Sequence, residues 1–172
     1  HYTREVTGEV IEKTVNAREL FRRIAETNWD YAEPGALFWD RITGWNLLSN
    51  TEDFAYAGVN PCAEEPLPAG GSCLLGSVNL AEFVQNPFTD TAFFDFDSFK
   101  KCVQASVNAL NEVLEEGLPL HPLEEQRKSV EKWRQIGLGI MGLADALIKL
   151  GITYGEAEAV EMCDKIGFAM AD

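Results

Sequence analysis

Residues 60–80, NPCAEEPLPAGGSCLLGSVNL, place two cysteines, two adjacent carboxylates and two asparagines in a segment interrupted by proline and glycine. The turn formers and three prolines predict a long structured loop over residues 49–72, since its apolar residues argue against disorder. The apolar, β-branched segment that follows predicts a buried strand over residues 73–84. The stretch therefore predicts reactive groups on a rigid loop that leads into a strand.

The composition limits the possible functions. The 172 residues include 46% hydrophobic residues and carry a net charge of −14, which suits one domain or a piece of one. Binding to DNA or RNA draws on basic surface, so we expect no nucleic-acid polymer as a partner. No apolar run approaches the roughly 18–20 residues of a membrane span, and the N-terminus lacks a signal-peptide pattern. We therefore expect a cytoplasmic protein with no membrane partner.

Helical periodicity dominates the rest of the chain. Residues 1–15 predict an irregular or strand-like lead-in, and residues 16–48 predict two helices, the first capped by Asn16 and the second starting near Ala36. Residues 97–172 predict a mainly helical part, with Asp97 or Ser98 capping its first helix. The helices expected there cover residues 97–116, 123–133, 140–150 and 156–171. Cys102 and Cys163 lie on apolar stripes of these helices and are expected to pack in the core.

Gly137, Gly139 and Gly142 satisfy the G-x-G-x-x-G spacing of dinucleotide-binding loops. That interpretation requires a preceding strand, a following helix and an acidic residue about 20 positions on, after a second strand. Glu156 and Glu158 are near that distance, yet both fall in a helix-like segment. A nicotinamide-dependent dehydrogenase stays open as an alternative, while the simpler interpretation is that these glycines allow close packing between a short strand and a helix.

The four cysteines show no C-x-x-C spacing and only two histidines occur, so the sequence predicts no metal site. No Lys, Arg or His lies between Arg41 and Lys100, and Glu64 and Glu65 are close to Cys62. These local surroundings favour a protonated thiol, which suits hydrogen-atom transfer better than nucleophilic attack. Glu64 can exchange a proton with a substrate, and Asn60 can hydrogen-bond sugar hydroxyls. Cys73 can form a reversible disulfide with a cysteine distant in sequence.

The motifs NPCAE followed by PL, then SCLLGSVNL, resemble the active-site region of the large catalytic subunit of ribonucleotide reductase. The resemblance continues through EPGALFWDRI and RQIGLGIMGLADALIKLGITY, and so covers most of the chain. It implies an α/β fold: part of a ten-stranded α/β barrel with a central finger loop, here a largely helical piece with one or two short strands. The whole of residues 1–172 would be part of this catalytic barrel domain.

The resemblance also implies roles for individual residues. Cys62 matches the finger-loop cysteine that becomes a transient thiyl radical and abstracts the 3′ hydrogen of the ribonucleotide. Glu64 matches the carboxylate that deprotonates the 3′ hydroxyl, and Asn60 matches the asparagine that hydrogen-bonds the ribose. Cys73 matches one of two redox-active cysteines, whose partner is expected upstream of His1. We therefore expect an incomplete active site and a chain that is inactive by itself.

Cofactors and partners follow from the same resemblance. The N-P-C sequence and the G-S-x-N-L ending favour the adenosylcobalamin-dependent class, with a radical supplied by a metal-containing partner subunit as the other possibility. No cofactor is expected to bind this piece. A ribonucleotide substrate, a thioredoxin-like reductant and a homo-oligomeric assembly are implied for the intact enzyme. A non-catalytic helical interaction domain remains the alternative if Cys62, Glu64 and Cys73 point apart.

Overall fold

The computed structural model describes residues 1–172, which form two compact units, His1–Asn46 and Leu47–Asp172. Both units combine helices with short strands, so the chain is mixed α/β. The strands occur as four separate pairs rather than as one sheet. The expectation of one or two strands was therefore too low, because several of these strands have only two residues and leave no periodic pattern in the sequence.

The N-terminal unit contains one strand pair and two helices. Strands β1 (Tyr2–Thr3) and β2 (Val10–Ile11) pair antiparallel, and helix α1 covers Ala17–Tyr31. The side chain of Asn16 accepts hydrogen bonds from the backbone N–H groups of Arg18 and Glu19, which confirms its predicted role as the N-cap. Helix α2 covers only Trp39–Gly44, shorter than the helix expected from Ala36 to Leu48.

The C-terminal unit contains the remaining elements. The predicted loop closes through an antiparallel pair formed by β3 (Gly58–Val59) and β4 (Pro66–Leu67). Strand β5 follows at Leu74–Asn79, a 3₁₀ turn covers Leu80–Phe83, and β6 (Val84–Gln85) pairs with β7 (Phe93–Phe94). The later elements are α3 (Phe96–Gly117), a 3₁₀ turn (Leu118–Leu120), α4 (Glu124–Trp133), β8 (Ile136–Met141), α5 (Leu143–Leu150) and α6 (Ala157–Ala171).

A parallel pair of strands supports the site. β5 and β8 pair in parallel from Leu74 opposite Ile136 to Asn79 opposite Met141, and α3 and α4 form the crossover between them. Helix α3 packs on one face of this pair, where Leu110 lies 3.5 Å from the position that a Cβ on Gly76 would occupy. A core of aromatic and aliphatic side chains joins α3, α5 and α6 to the segment around β5. Its buried members include Val78, Leu80, Phe94, Phe99, Val103, Ala146 and Ile166.

Three expectations about strands and caps were wrong in detail. The strand predicted over residues 73–84 ends at Asn79, because the side chain of Asn79 accepts from the Ala81 N–H and starts a 3₁₀ turn. This strand is buried on one face only, since Leu75 is 57% exposed. Helix α3 is capped by Asp95, whose carboxylate accepts from the Ser98 N–H at 3.0 Å, rather than by Asp97 or Ser98.

The expectation for Cys163 was also wrong. Cys163 is exposed, while Ala159, Ile166 and Ala169 form the buried face of α6. These three residues lie on one side of the helix, and this side includes Ala159 rather than the neighbouring Val160. Two small alanines thus face the core, while Val160 and Cys163 face solvent. Cys102 is half-buried against the core, as predicted. No helix of the chain combines the length and the apolar character needed to cross a membrane.

Candidate active site

Asn60 organises the turn that carries Cys62. Its side-chain Oδ1 accepts a hydrogen bond from the Glu65 N–H at 2.9 Å, and its backbone carbonyl accepts from the Ala63 N–H at 2.9 Å. Ala63 adopts a left-handed conformation with φ of 67°. The turn between β3 and β4 is thus fixed by contacts at both ends of Asn60. Pro61 and Cys62 remain exposed within it.

Cys73 lies directly before β5, on the face of the strand pair that α3 does not cover. Because side chains alternate along a strand, Cys73, Leu75 and Ser77 share one face and Leu74, Gly76 and Val78 the other. Across the register, Leu75 pairs with Gly137 and Ser77 with Gly139. The open face therefore has a half-buried thiol at one end and two glycines beside it.

Glu65 extends from the turn onto this open face. A Cβ on Gly137 would overlap Oε1 of Glu65 and Cδ2 of Leu75, and would lie 3.3 Å from Sγ of Cys73. The Glu65 carboxylate and the Cys73 thiol thus converge on the space above a residue that has no side chain. Gly137 is needed there because any larger residue would displace one of them.

The protonation state of Cys73 reflects this environment. Burial raises the pKa of the Cys73 thiol, and a hydrogen bond to Glu65 and the charges of Glu65 and Glu64 add to the effect, giving a value of about 12. Cys73 is consequently a neutral thiol at physiological pH. The acidic pair next to Cys62 in the sequence therefore acts on the second cysteine of the site.

Two cavities meet at Cys73. One, of about 380 Å³, is lined by Glu64, Glu65 and Cys73 together with aromatic and polar side chains that precede β8. The other, of about 300 Å³, lies beside α3 and includes His121. Cys73 and Gln135 line both cavities. The structure thus brings Glu64 and Cys73 to one cavity. Cys62 and Asn60 do not line this cavity: Cys62 is exposed on the turn, and Asn60 stabilises the turn through its hydrogen bonds.

Arg134 is the cationic side chain in the lining of the larger cavity. Its guanidinium donates to Oδ1 of Asn111 from Nε at 3.2 Å and from Nη2 at 3.0 Å, and it forms an ion pair with Glu115. Residue 134 itself has a left-handed backbone, with φ of 48°, where it ends α4. These contacts orient Arg134 toward α3 and leave the acidic pair to determine the local charge around Cys73.

The glycine motif has a packing role. Gly137 accommodates Glu65 and Cys73, and Gly142, in a left-handed conformation with φ of 70°, accommodates the side chain of Asn79. A Cβ on Gly139 would meet nothing closer than Oγ of Ser77 at 3.7 Å. Gly137 and Gly139 lie within strand β8 rather than in a turn after it, and α5 leads directly to α6, with no second strand to present Glu156 or Glu158.

Sequence reasoning missed Glu65, Gly137 and Gln135 as parts of the site. Glu65 stood beside a more obvious carboxylate, and its role depends on the β3–β4 pairing that turns it toward Cys73. Gln135 precedes β8 just as Cys73 precedes β5, and its carbonyl accepts from the Leu74 N–H at 3.3 Å. A parallel register between the two strands is the signal that would have placed Gln135 next to Cys73.

The structure thus groups one thiol, Cys73, with the carboxylates of Glu64 and Glu65 at one end of a parallel strand pair. Comparison with known families gives the closer assignment. The family described as "Ribonucleotide reductase, barrel domain" matches residues 1–172, and the chain belongs to this family.

Individual relatives agree with the family. The chain is 38% identical over 91% of its length to a vitamin B12-dependent ribonucleoside-diphosphate reductase of Thermoplasma acidophilum, and covers 19% of that protein. It is 33% identical over 88% of its length to a vitamin B12-dependent ribonucleotide reductase of Streptomyces coelicolor, of which it covers 15%. A ribonucleoside-diphosphate reductase subunit alpha of Chlamydia pneumoniae is 31% identical over 95% of the chain. The chain thus spans less than a quarter of the length of these relatives.

Proposed function

We propose that this chain forms part of the catalytic centre of a ribonucleotide reductase, which converts ribonucleotides to deoxyribonucleotides for DNA precursor synthesis, and that the chain is inactive by itself. The observation that carries the proposal is the grouping of Glu64 and Cys73 around one cavity, at the end of the turn that exposes Cys62. Membership of the ribonucleotide reductase barrel family and the names of the relatives support the same activity.

In this proposal Cys62 is the thiyl radical cysteine. Its exposure on a turn held by Asn60 suits a group that must meet both a radical source and a substrate. Glu64 is exposed beside it and accepts the proton of the 3′ hydroxyl, so that the 2′ hydroxyl leaves as water. Asn60 uses Oδ1 for the turn, which leaves its Nδ2 hydrogens for a ribose hydroxyl.

Cys73 supplies reducing equivalents in the same proposal. It and a second thiol lose two protons and two electrons as their sulfurs join. The electrons reduce the nucleotide, one proton leaves with the 2′ hydroxyl as water, and the other ends on the deoxyribose. A thioredoxin-like dithiol then restores both thiols.

Adenosylcobalamin is the proposed radical source, because two of the relatives above are named vitamin B12-dependent enzymes. The Chlamydia relative is named a subunit alpha, so a radical from a partner subunit is the other candidate. In this proposal the contribution of this chain to radical formation is the exposed Cys62 thiol, whose hydrogen passes to the radical source.

The proposed fold of the intact domain is the ten-stranded α/β barrel, with the Cys62 turn as its finger loop. The β5–β8 pair supports it, since neighbouring parallel strands joined by helices are the building unit of such barrels. The open face bearing Cys73 would then face the barrel interior. A homo-oligomer in the cytoplasm, without a membrane or nucleic-acid polymer as partner, completes the proposal.

The alternatives have less support. A dinucleotide requires open space above the glycines, whereas side chains of the protein occupy the space at Gly137 and Gly142. A purely structural helical module would not need Glu64 and Cys73 at one cavity.

Replacement of Cys62 by serine in the full-length enzyme tests the proposal. Cys62→Ser should reduce deoxyribonucleotide formation to background, because the O–H bond of serine is too strong for the radical source to remove its hydrogen. The circular dichroism spectrum should stay unchanged. Cys163→Ser is the matched control, since Cys163 is also exposed but lies on α6. Turnover retained by Cys62→Ser would reject the proposed function.

A further inference from the structure

Glu65 has a carboxylate whose two oxygens are in different situations. Oε1 lies over Gly137 beside the Cys73 thiol. Oε2 is buried and has no hydrogen-bond partner in the protein. A buried acceptor without a partner destabilises the folded protein, so such a group calls for an explanation.

Cys73 is the donor that meets this carboxylate. Its thiol and Oε1 approach the same point above Gly137, and the hydrogen bond between them is one of the causes that raise the Cys73 pKa. Glu64 lines the same cavity and acts in the same direction through its charge. The two basic groups nearby are Arg134, which is bound to Asn111 and Glu115, and His121 in the neighbouring cavity.

We propose that Glu65 is a positioning residue for Cys73: its carboxylate accepts the thiol hydrogen above Gly137 and keeps Cys73 a protonated, oriented thiol until it is oxidised. The inference rests on the proposed function for the redox role of Cys73, but the Glu65–Cys73 pair itself is a property of this chain. It assigns the second carboxylate of the acidic pair to the second cysteine, while Glu64 serves the substrate.

Alkylation of Cys73 by iodoacetamide measures this pair directly. The rates at individual cysteines of the 172-residue chain can be followed by peptide mass spectrometry between pH 7 and pH 10. Glu65→Gln keeps the shape but removes the charge, and it should raise the rate at Cys73 at pH 8 about threefold or more. The estimate assumes about ten times more thiolate at pH 8, and this gain is partly offset because a thiolate of lower pKa is a weaker nucleophile. The pH profile of Cys73 should shift to lower pH.

Two further variants separate charge from structure. Glu161→Gln makes the same change of charge on the exposed face of α6 and should leave the Cys73 rate unchanged. Glu65→Asp retains the charge on a shorter side chain and should give a rate between those of wild type and Glu65→Gln. The rates at Cys102 and Cys163 in every variant serve as internal references for an intact fold.

An unchanged or slower rate at Cys73 in Glu65→Gln, with unchanged reference rates, would overturn the proposal. Because this assay needs neither substrate nor radical source, its failure differs from failure of the proposed function. The latter is decided by turnover of Cys62→Ser in the full-length enzyme.

Discussion

The two cysteines of the candidate site differ in how the protein holds them. Cys62 is exposed on a turn whose geometry depends on hydrogen bonds made by Asn60. Cys73 is half-buried at the start of β5, where its position is fixed by a parallel strand pair and by Glu65. The turn exposes the Cys62 thiol to other molecules, whereas the surroundings of Cys73 favour its protonated form.

This difference suits different steps of one reaction. A thiol that exchanges a hydrogen atom with substrate must be reachable, and the turn provides this. A thiol that reacts later, as part of a disulfide, benefits from remaining protonated until then, because thiolates are the form that reacts with oxidants and disulfides. In the proposal the two carboxylates have separate roles, since Glu64 is exposed for the substrate and Glu65 turns toward Cys73.

Removal of the Cys73 thiol should have the largest effect on this division of roles. In the full-length enzyme, Cys73→Ser should abolish multiple turnover supported by a thioredoxin-like dithiol, because serine cannot form the disulfide. Deoxyribonucleotide formed per enzyme over time is the measurement. Cys102→Ser is the matched control, since Cys102 is also half-buried but lies on α3 and packs against the core. Normal multiple turnover by Cys73→Ser would reject its redox role.

A smaller effect should follow from filling the space between the strand pair and the turn. Gly137→Ala should lower the free energy of unfolding of the chain by about 1–3 kcal/mol, because the new Cβ overlaps Glu65 and Leu75. Gly139→Ala is the matched control and should change it by no more than about 0.5 kcal/mol, since its nearest neighbour would be 3.7 Å away. Urea denaturation followed by fluorescence measures both. Equal losses of unfolding free energy at the two glycines would show that the close approach of Glu65 and Leu75 does not depend on the absence of a side chain at Gly137.

The helices of the fold and the residue types of the site could be predicted from the sequence, but the pairing of the strands could not. Helix α3 follows from apolar periodicity, and the Asn16 cap from local chemistry, because both depend on neighbouring residues. Asn60, Cys62, Glu64 and Cys73 were selected by residue type and by resemblance to a family. The meeting of Glu64 and Cys73 at one cavity depends on the short β3–β4 pairing and on the β5–β8 pairing, and the second of these joins residues far apart in the chain.

The role of Gly137 shows the limit most clearly. In the sequence it belongs to a glycine pattern that suggests a nucleotide, and nothing nearby indicates a contact with Glu65 and Cys73. The parallel register of β5 and β8 creates that contact over a long crossover. Cys163 shows the same limit in a helix, where a shift of one position decides whether a side chain faces the core or solvent.

The smallest predicted effect is a dependence of stability on pH that involves Cys73 alone. Its pKa rises from 9.0 to about 12 on folding, so above pH 9 the unfolded chain releases a proton that the folded chain retains. The contribution of Cys73 to the free energy of unfolding is therefore complete below pH 9 and decreases as the pH rises toward 12.

Because Cys73 is partly exposed, we expect the free energy of unfolding to fall by at most about 1 kcal/mol between pH 8 and pH 10. The difference in unfolding free energy between wild type and Cys73→Ser, measured at both pH values, isolates this loss from the titration of lysines and tyrosines. A difference that stays constant would mean that the region around Cys73 does not control its protonation, and the contrast with Cys62 would then reduce to exposure alone.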